Sequence, residues 1–289
     1  MKVRKAVITA ASPQQHTLPL QRLVDRNGDE KSALQMIVDE VVDAGIEEVA
    51  VIIQPGDAAE YRRAAGGHVG AVRFVEQPEP NGYADAIRCA APFVGDEPFL
   101  HLVGDHLYLS SSDKPCARQL IDVAHEHGCA VSAVQATREH KLPFYGTVGG
   151  TRVPRTSHLY EISRVIEKPT PTVAEQELVV AGLRQGTYLC FFGMHVLDPD
   201  VMGLLAQVLE ERGPAEKPPL AAALERLASR RRYLALEIDG TRHNIGTKYG
   251  LLVAQLALAL SGRDREHVLT ELVELLALRS LDVRGGERS

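Results

Sequence analysis

No glycine occurs between Met1 and Asn27. The absence matters because of where it falls. Arg4 to Ala11 (RKAVITAA) is a short apolar run bounded by charge and by turn residues, which predicts a buried strand. The loop after it is Ser12-Pro13-Gln14-Gln15-His16-Thr17-Leu18-Pro19. A loop at that edge of an α/β sheet is where phosphates bind, through free backbone N–H groups. Such a cradle uses glycine, because the backbone approaches the anion closely and often at positive φ. Pro13 also removes a donor and fixes φ. The setting is that of a nucleotide site, and the usual phosphate cradle is missing from it.

Other absences narrow the class. The four cysteines, Cys89, Cys116, Cys129 and Cys190, form no C-x-x-C pair and fit no zinc spacing. Cys129 and Cys190 lie in strand-like apolar runs and are expected to be core thiols. There is no surplus of positive charge: the formal net charge of −6 argues against a nucleic-acid surface. Arg230-Arg231-Arg232, the one tight basic cluster, reads as a helix end before a strand at Tyr233. No apolar run reaches the ~18 residues of a membrane span and no signal peptide is evident, so a reducing cytoplasm and no membrane partner are expected. What remains is 289 residues, 45% apolar and 24% charged, enough for one large α/β domain with an extension.

The first half alternates strand and helix. Ser32 to Ala44 carries Leu34, Ile37, Val38 and Val41 at helical spacing, with Gly45 placed to end the helix. Glu48 to Gln54 is the second strand, Asp57 is placed to cap a helix through Ala65, and Val72 to Glu76 is the third strand. Asn81 to Ala91 reads as a helix, Pro98 to Val103 as a strand ending in Gly104-Asp105. A helix opens at Pro115, and Cys129 to Gln135 is a strand. Repeated strand–helix units imply a mostly parallel sheet with right-handed crossovers. After Leu142 the pattern changes. Phe144 to Gly149, Leu159 to Glu167 and Thr187 to Leu197 are strand-like, which predicts a small inserted β lobe over about 142–197. Asp198 to Glu211, Leu220 to Ser229 and Gly246 to Leu260 are helical. The expected division is a domain over 1–262, a C-terminal helix over 263–280 and a disordered tail over 281–289. The last helix carries Val268, Leu272, Leu275 and Leu276 on one side, for its own domain or for a second subunit of a homo-oligomer.

Several short pieces could carry chemistry. Gly104-Asp105 ends a strand on the ligand-binding edge, where an Asp can hold Mg²⁺ or simply turn the chain. Gln77-Pro78-Glu79-Pro80-Asn81-Gly82 joins the third strand to a helix. Gly82 could admit a flat base with Gln77 reading its edge, or the segment is a Pro/Gly turn. Glu167-Lys168-Pro169 ends another strand. Glu can accept protons from sugar hydroxyls and Lys can bind phosphate, and the same pair also suits a solvated surface. His101, His106, His195 and His243 fall at unrelated spacing and read as structural histidines.

Together the pieces resemble the bacterial UTP–glucose-1-phosphate uridylyltransferases, within the sugar-1-phosphate nucleotidyltransferases. The resemblance runs from Val3 to about Leu260 through VRKAVITAA, ALQMIVDEVVDAGIEEVAVII, EQPEPNGYADAIRCAAPFVGDEPFLHLVGD, YGTVGG, VIEKP and DGTRHNIGTKYG. It implies a Rossmann-like nucleotidyltransferase fold, a mixed, mostly parallel α/β sheet flanked by helices, in which a sugar 1-phosphate oxygen attacks the α-phosphorus of UTP and pyrophosphate leaves, with Mg²⁺ as cofactor. It further implies that Ala10, Ala11, Gln77, Gly82 and Asp105 line the nucleotide site, with Asp105 also on Mg²⁺. Tyr145, Gly146 and Glu167 would line the sugar pocket, and Lys168 would meet the sugar phosphate.

The departures from the family pattern are concentrated. Its first loop reads G-x-G-T-R-x-x-P followed by a P-K pair. Here both glycines and the lysine are gone, His16 stands at the arginine position as a substitute catalytic group, and only Pro19 remains. The second metal aspartate is Asn244, the second aspartate of G-D-D is His106, and G-L-G-H has become Gly82-Tyr83-Ala84-Asp85. A triphosphate carries about four negative charges, and each charge-assisted contact contributes ~1.5–3 kcal/mol. Standard activity on UTP is therefore expected to be reduced or lost. One reading is a diverged uridylyltransferase making UDP-glucose. Another is a non-catalytic protein that binds a nucleotide sugar or sugar phosphate as a sensor or partner subunit. A third is a different group transfer on a sugar phosphate.

Overall fold

The computed structural model of the chain describes residues 1–212 and 216–285, with side chains to residue 278. Along β1 (Lys5–Thr9) successive side chains part to opposite faces: Ala6 and Ile8 enter one apolar cluster, Val7 another. The same division repeats along the next central strand, with Val49, Val51 and Ile53 on one side and Ala50 and Ile52 on the other. A strand apolar on both faces needs helices on both faces, and the rest of the chain supplies them.

The elements after β1 are β2 (Arg22–Val24), β3 (Glu30–Ser32), α1 (Ala33–Asp43), β4 (Glu48–Ile53), α2 (Ala58–Ala64), β5 (Val72–Glu76), α3 (Tyr83–Arg88), α4 (Ala91–Val94), β6 (Phe99–Val103) and β7 (His106–Ser110). There follow α5 (Cys116–His127), β8 (Ala130–Arg138), β9 (Gly146–Arg152), β10 (Leu159–Glu167), α6 (Pro171–Glu177) and β11 (Thr187–Leu197). The chain continues through α7 (Asp200–Arg212), α8 (Leu220–Arg230), β12 (Tyr233–Glu237), β13 (Gly240–Asn244), α9 (Gly250–Leu260) and α10 (Arg265–Gly285). Helices α1, α5 and α9 cover one face through residues such as Leu34, Leu120 and Leu258. Helices α3, α7 and α8 cover the other through Ile87, Leu205 and Leu224. Each such fully buried side chain contributes ~1.5–3 kcal/mol.

Nine strands form one sheet in the order β5-β4-β1-β6-β11-β8-β12-β10-β9. Strands β5, β4, β1 and β6 are mutually parallel, as is the β8–β12 pair, while β11, β10 and β9 run antiparallel to their neighbours. The sheet is therefore mixed, and parallel throughout its first half. Strands β9, β10 and β11 extend it, and a small cluster of Leu142, Ala174, Leu178, Tyr188 and Cys190 packs there. Strands β7 and β13 form a separate antiparallel ribbon.

Several local expectations are corrected. Asp57 makes no capping hydrogen bond, because its carboxylate is taken by a side chain from the first loop. The predicted helix over Asn81 to Ala91 is two short helices, α3 and α4, with Pro92 in the first turn of α4. The helix expected from Gly246 begins at Gly250, since Tyr249 adopts φ 65° and the preceding residues turn. Cys129 is only half-buried, unlike Cys190. Helix α10 continues to Gly285, past its expected end at residue 280; residues 286–289 of the expected tail lie outside the described residues.

Candidate active site

Because β5, β4, β1 and β6 are parallel, their carboxyl ends share one edge. That edge brings Gln77, Gln54, Ala10 with Ala11, and Gly104 with Asp105 into a row. From Gln77 to Asp105 it spans three strand spacings, roughly 14 Å.

At the β5 end, Gln77 is buried and its Nε2 donates to the Gly82 carbonyl (3.2 Å) and to Asp85 Oδ2 (2.8 Å). A carboxylate accepts only, so it fixes the amide with its NH₂ inward. No hydrogen bond among the described residues occupies Gln77 Oε1. Arg88 stands 3.2 Å from Asp85 and balances its buried charge. Gly82 adopts φ 100° and packs against the Lys217 backbone, where a Cβ would come within 2.9 Å of the Lys217 side chain. Both its conformation and its contact require glycine.

The first loop is tied down by α2. His16 Nδ1 lies 2.7 Å from Asp57 Oδ2, and Tyr61 donates to the carbonyls of His16 and Ala10. Part of the loop's backbone turns inward, Gln15 and His16 both donating to the Ser12 carbonyl and Leu18 to the Gln15 carbonyl. Nearby cations are committed elsewhere: Arg22 pairs with Glu30, and Lys31 with Asp39 (2.7 Å) and Asp25 (3.2 Å).

At the centre, Asp105 Oδ1 lies 2.7 Å from His106 Nδ1. Burial pushes the Asp105 carboxyl up, but the His106 imidazole outweighs it and, with Lys168, holds it below the usual carboxylate range. Strands β7 and β13 set Asn244 opposite His106, and Ile245 N donates to the Asp105 carbonyl. The two positions matching the family's metal aspartates are thus adjacent. Asn244 Oδ1, however, accepts from Gly246 N at 2.7 Å, closing a local turn.

Tyr83, which the sequence reading did not single out, joins the halves of the cleft. Burial raises its phenol pKa, and the charges of Asp105 and then Glu167 raise it further. Its hydroxyl lies 3.4 Å from His101 Nε2, which is also 3.4 Å from Thr9 Oγ1. Beneath it His101 and His195 pack ring to ring, and His195 Nδ1 meets Ser132. Burial drives both imidazoles neutral, His195 down to about 3. They support the floor of the site as structural histidines.

On the far side, Glu167 ends β10 and burial raises its pKa against the opposing pull of Lys168. Lys168 Nζ is 3.9 Å from Glu167 Oε1 and 55% exposed, and its backbone sits at φ 46° with N–H bonded to the Tyr145 carbonyl. Gly146 lies between Phe191 and Glu167: a Cβ there would fall 2.7 Å from the Phe191 ring and 3.0 Å from Glu167 Oε2. The Tyr145 ring instead turns toward Arg242, whose guanidinium lies 4.0 Å from its centroid, and toward the edge of His106. Through His106 and Tyr145, Asp105 is thus linked to Gly146 and Glu167, with Gln77 and Gly82 further along the same sheet edge.

This chain matches the model of the nucleotidyl transferase family over residues 21–259. It belongs to that family. The match begins just beyond the first strand and its glycine-free loop. A UTP–glucose-1-phosphate uridylyltransferase of Bacillus subtilis (YngB) is 28% identical, over 94% of this chain and 95% of the relative. One from Streptococcus pyogenes is 28% identical over 90% and 91%. Among solved structures, a UDP-glucose pyrophosphorylase from Acinetobacter baumannii superposes with TM-score 0.74 at 22% identity, over 95% of this chain and all of that one. Another UDP-glucose pyrophosphorylase, complexed with UDP-glucose, gives TM-score 0.72 at 21% identity, over 89% and 98%. The fold expected from the residues is thus the fold these relatives have.

Among the described residues, Asp105 is the one carboxylate at this edge that could hold Mg²⁺, through Oδ2, since His106 takes its Oδ1. Mg²⁺ sites of this kind use one or two free carboxylates besides substrate phosphates. Here one Asp105 oxygen accepts from His106, and the Asn244 oxygen is neutral and already bonded. Among the described residues no group of three or more His, Cys, Asp or Glu is placed to hold a metal ion.

Proposed function

We propose that this protein binds a sugar 1-phosphate and its nucleotide sugar, glucose 1-phosphate and UDP-glucose, in the cleft running from Gln77 to Lys168. Gln77 Oε1 accepts from a base N–H such as the uracil imide. Glu167 accepts from sugar hydroxyls, and Lys168 faces the sugar phosphate. The relatives named above, uridylyltransferases over most of their length, support the ligand class.

Uridylyl transfer from UTP is much slower here than in a complete site. In that reaction a phosphate oxygen of the sugar 1-phosphate forms a bond to the α-phosphorus, and the bond to pyrophosphate breaks. Catalysis rests on positioning and on charge aimed at the phosphates. The observation that carries the reading is the His16–Asp57 contact: the group at the family's arginine position already serves a carboxylate. The protein acts in the cytoplasm.

A pyrophosphate-release assay with glucose 1-phosphate, UTP and Mg²⁺, run beside calorimetry with UDP-glucose, tests this. UDP-glucose binding with kcat far below ~1 s⁻¹ is expected. Turnover in the ordinary range would overturn the slow-transfer reading, and no heat with UDP-glucose or glucose 1-phosphate would overturn the binding one. The second reading, a partner subunit, is favoured by the apolar side chains exposed on α9 and α10, including Leu252, Val253, Val273 and Leu275.

A further inference from the structure

Beside the cleft lies a second cavity, of about 600 Å³, between the end of β8, the turn before β9, strand β13 and the start of α9. Its volume is within the range of small-molecule sites, ~300–1,000 Å³. It shares Tyr145 and Asn244 with the surroundings of the cleft, but Asp105, Glu167 and Lys168 do not line it. Its charged lining is of one sign. Arg138, Lys141, Arg242 and Lys248 are joined by His140 and His243, and no aspartate or glutamate is among the lining residues. In a chain with a formal charge of −6, that is a local inversion.

Exposed lysines and arginines on their own make a solvated face, usually interleaved with carboxylates. Two features set this cavity apart. None of the four cations takes part in an ion pair among the described residues, although most of the arginines around the rest of the surface do. Arg242 is also not a surface arginine. Its guanidinium carbon lies 4.0 Å from the Tyr145 ring centroid, it donates through Nη1 to Gln135 Oε1 at 3.1 Å, and its buried Nε has no partner among the described residues. A guanidinium has five N–H donors in a fixed fork that matches phosphate and carboxylate oxygens. Gln135 takes one of them.

We propose that this cavity binds a compact phosphorylated small molecule carrying two or more negative charges, separately from the nucleotide-sugar cleft. Arg242 supplies the fixed fork at its wall, and Arg138, Lys141 and Lys248 supply charge at its mouth. The chemistry is that of a polyphosphate or a sugar bisphosphate. The inference does not depend on the cleft being active.

The test is calorimetry at fixed ionic strength, without nucleotide, using inorganic pyrophosphate and a hexose bisphosphate as separate probes. Tighter binding of the first points to a free polyphosphate, and of the second to a phosphorylated sugar. At least one is expected to bind. The double variant Arg138→Gln/Lys141→Gln should weaken it at least tenfold. Both side chains are exposed, so the fold should hold, and an unchanged melting temperature confirms that. Lys168→Gln, in the neighbouring cleft, should change the affinity less than twofold. Binding of neither probe at millimolar concentration would overturn the proposal. So would binding that the double variant leaves intact, or that Lys168→Gln weakens as much, since the anion would then sit in the cleft.

Discussion

Around the first loop, three basic side chains are held by carboxylates: His16 by Asp57, Arg22 by Glu30, and Lys31 by Asp25 and Asp39. At the other end of the cleft, Lys168 stands 3.9 Å from Glu167 and more than half exposed. Both ends belong to one sheet. They differ in how firmly positive charge is committed within the protein: hydrogen-bonded at the first loop, and held only by a 3.9 Å ion pair, open to a ligand, at Lys168. A cation already hydrogen-bonded to a carboxylate offers an incoming phosphate little net field, and pulling it away uncovers the acid it was neutralising. Counting basic residues near a loop therefore says less about phosphate affinity than asking which of them are unpartnered.

The largest effect should come from rebuilding the weak end. Replacing residues 12–19 by a glycine-rich loop with Arg at position 16 adds at least two charge-assisted contacts to a triphosphate, from the guanidinium and from freed backbone N–H groups, and Asn244→Asp adds a second carboxylate for its Mg²⁺. At ~1.5–3 kcal/mol each, discounted for non-additivity, UTP affinity should rise about a hundredfold, with UDP-glucose affinity changing much less. Calorimetry with both ligands reads the difference. A rebuilt loop that leaves UTP binding unchanged would show that the comparison of the two ends is misdrawn.

Next comes the stronger end. Glu167→Gln should lower UDP-glucose affinity between about ten- and a hundredfold, with little effect on UTP. The pH dependence has a definite sign. Burial raises the Glu167 pKa, and the carboxylate is the form that accepts from sugar hydroxyls. Affinity should therefore fall as pH drops through a value above the ordinary 4.5, and the Gln variant should lose that dependence. A flat pH profile in the wild-type chain would remove Glu167 from the sugar site.

Stability has its own pH dependence, and it must be separated from that of binding. Glu40, under α5, accepts from Ala117 N at 2.7 Å, and burial lifts its pKa from 4.5 to about 7. Between those values the folded chain holds a proton that the unfolded chain releases. This group's contribution is full below pH 4.5 and is lost as pH rises through 7. Glu40→Gln keeps the carbonyl acceptor and removes the charge. It should stabilise the protein by about 1–2 kcal/mol at pH 8 and leave it nearly unchanged at pH 5, as read by denaturant melts. A variant less stable at pH 8 would show that the carboxylate form is favoured in place.

How much of this was legible in the sequence follows from the range of the forces involved. Strands β1, β4, β5 and β6 and helix α1 carry their signal locally, in apolar spacing that any short window contains, and they lie within a residue or two of where they were expected. The row Gln77, Ala10, Asp105 follows from parallel strands ending at one edge. The ribbon of β7 with β13 was not legible, since it pairs His106 with Asn244 across 138 positions and neither strand has a marked alternation of its own. That ribbon is what sets Asn244 beside Asp105. Nor does any local pattern bring Tyr83 to His101 or Arg242 to Tyr145. Asp57 shows the same limit in miniature. Its position is that of a helix cap, and a histidine 41 residues earlier claims it.

That contact yields the smallest predicted effect. In the folded chain His16 and Asp57 are 30% and 20% exposed, so solvent screens the pair and its removal should cost well under about 1 kcal/mol of stability. Asp57→Asn keeps the size of the side chain and frees His16 from a charged partner. If the commitment of His16 is what withholds it from phosphate, UTP affinity in this variant should rise a few-fold, as read by calorimetry. The Tyr61 hydroxyl still fixes the loop through the His16 and Ala10 carbonyls, so the variant changes charge without releasing the backbone. Asp57→Asn/Tyr61→Phe then separates the two restraints. A gain only in the double variant would assign the weak end to the loop's shape, and a gain already complete in Asp57→Asn would assign it to charge.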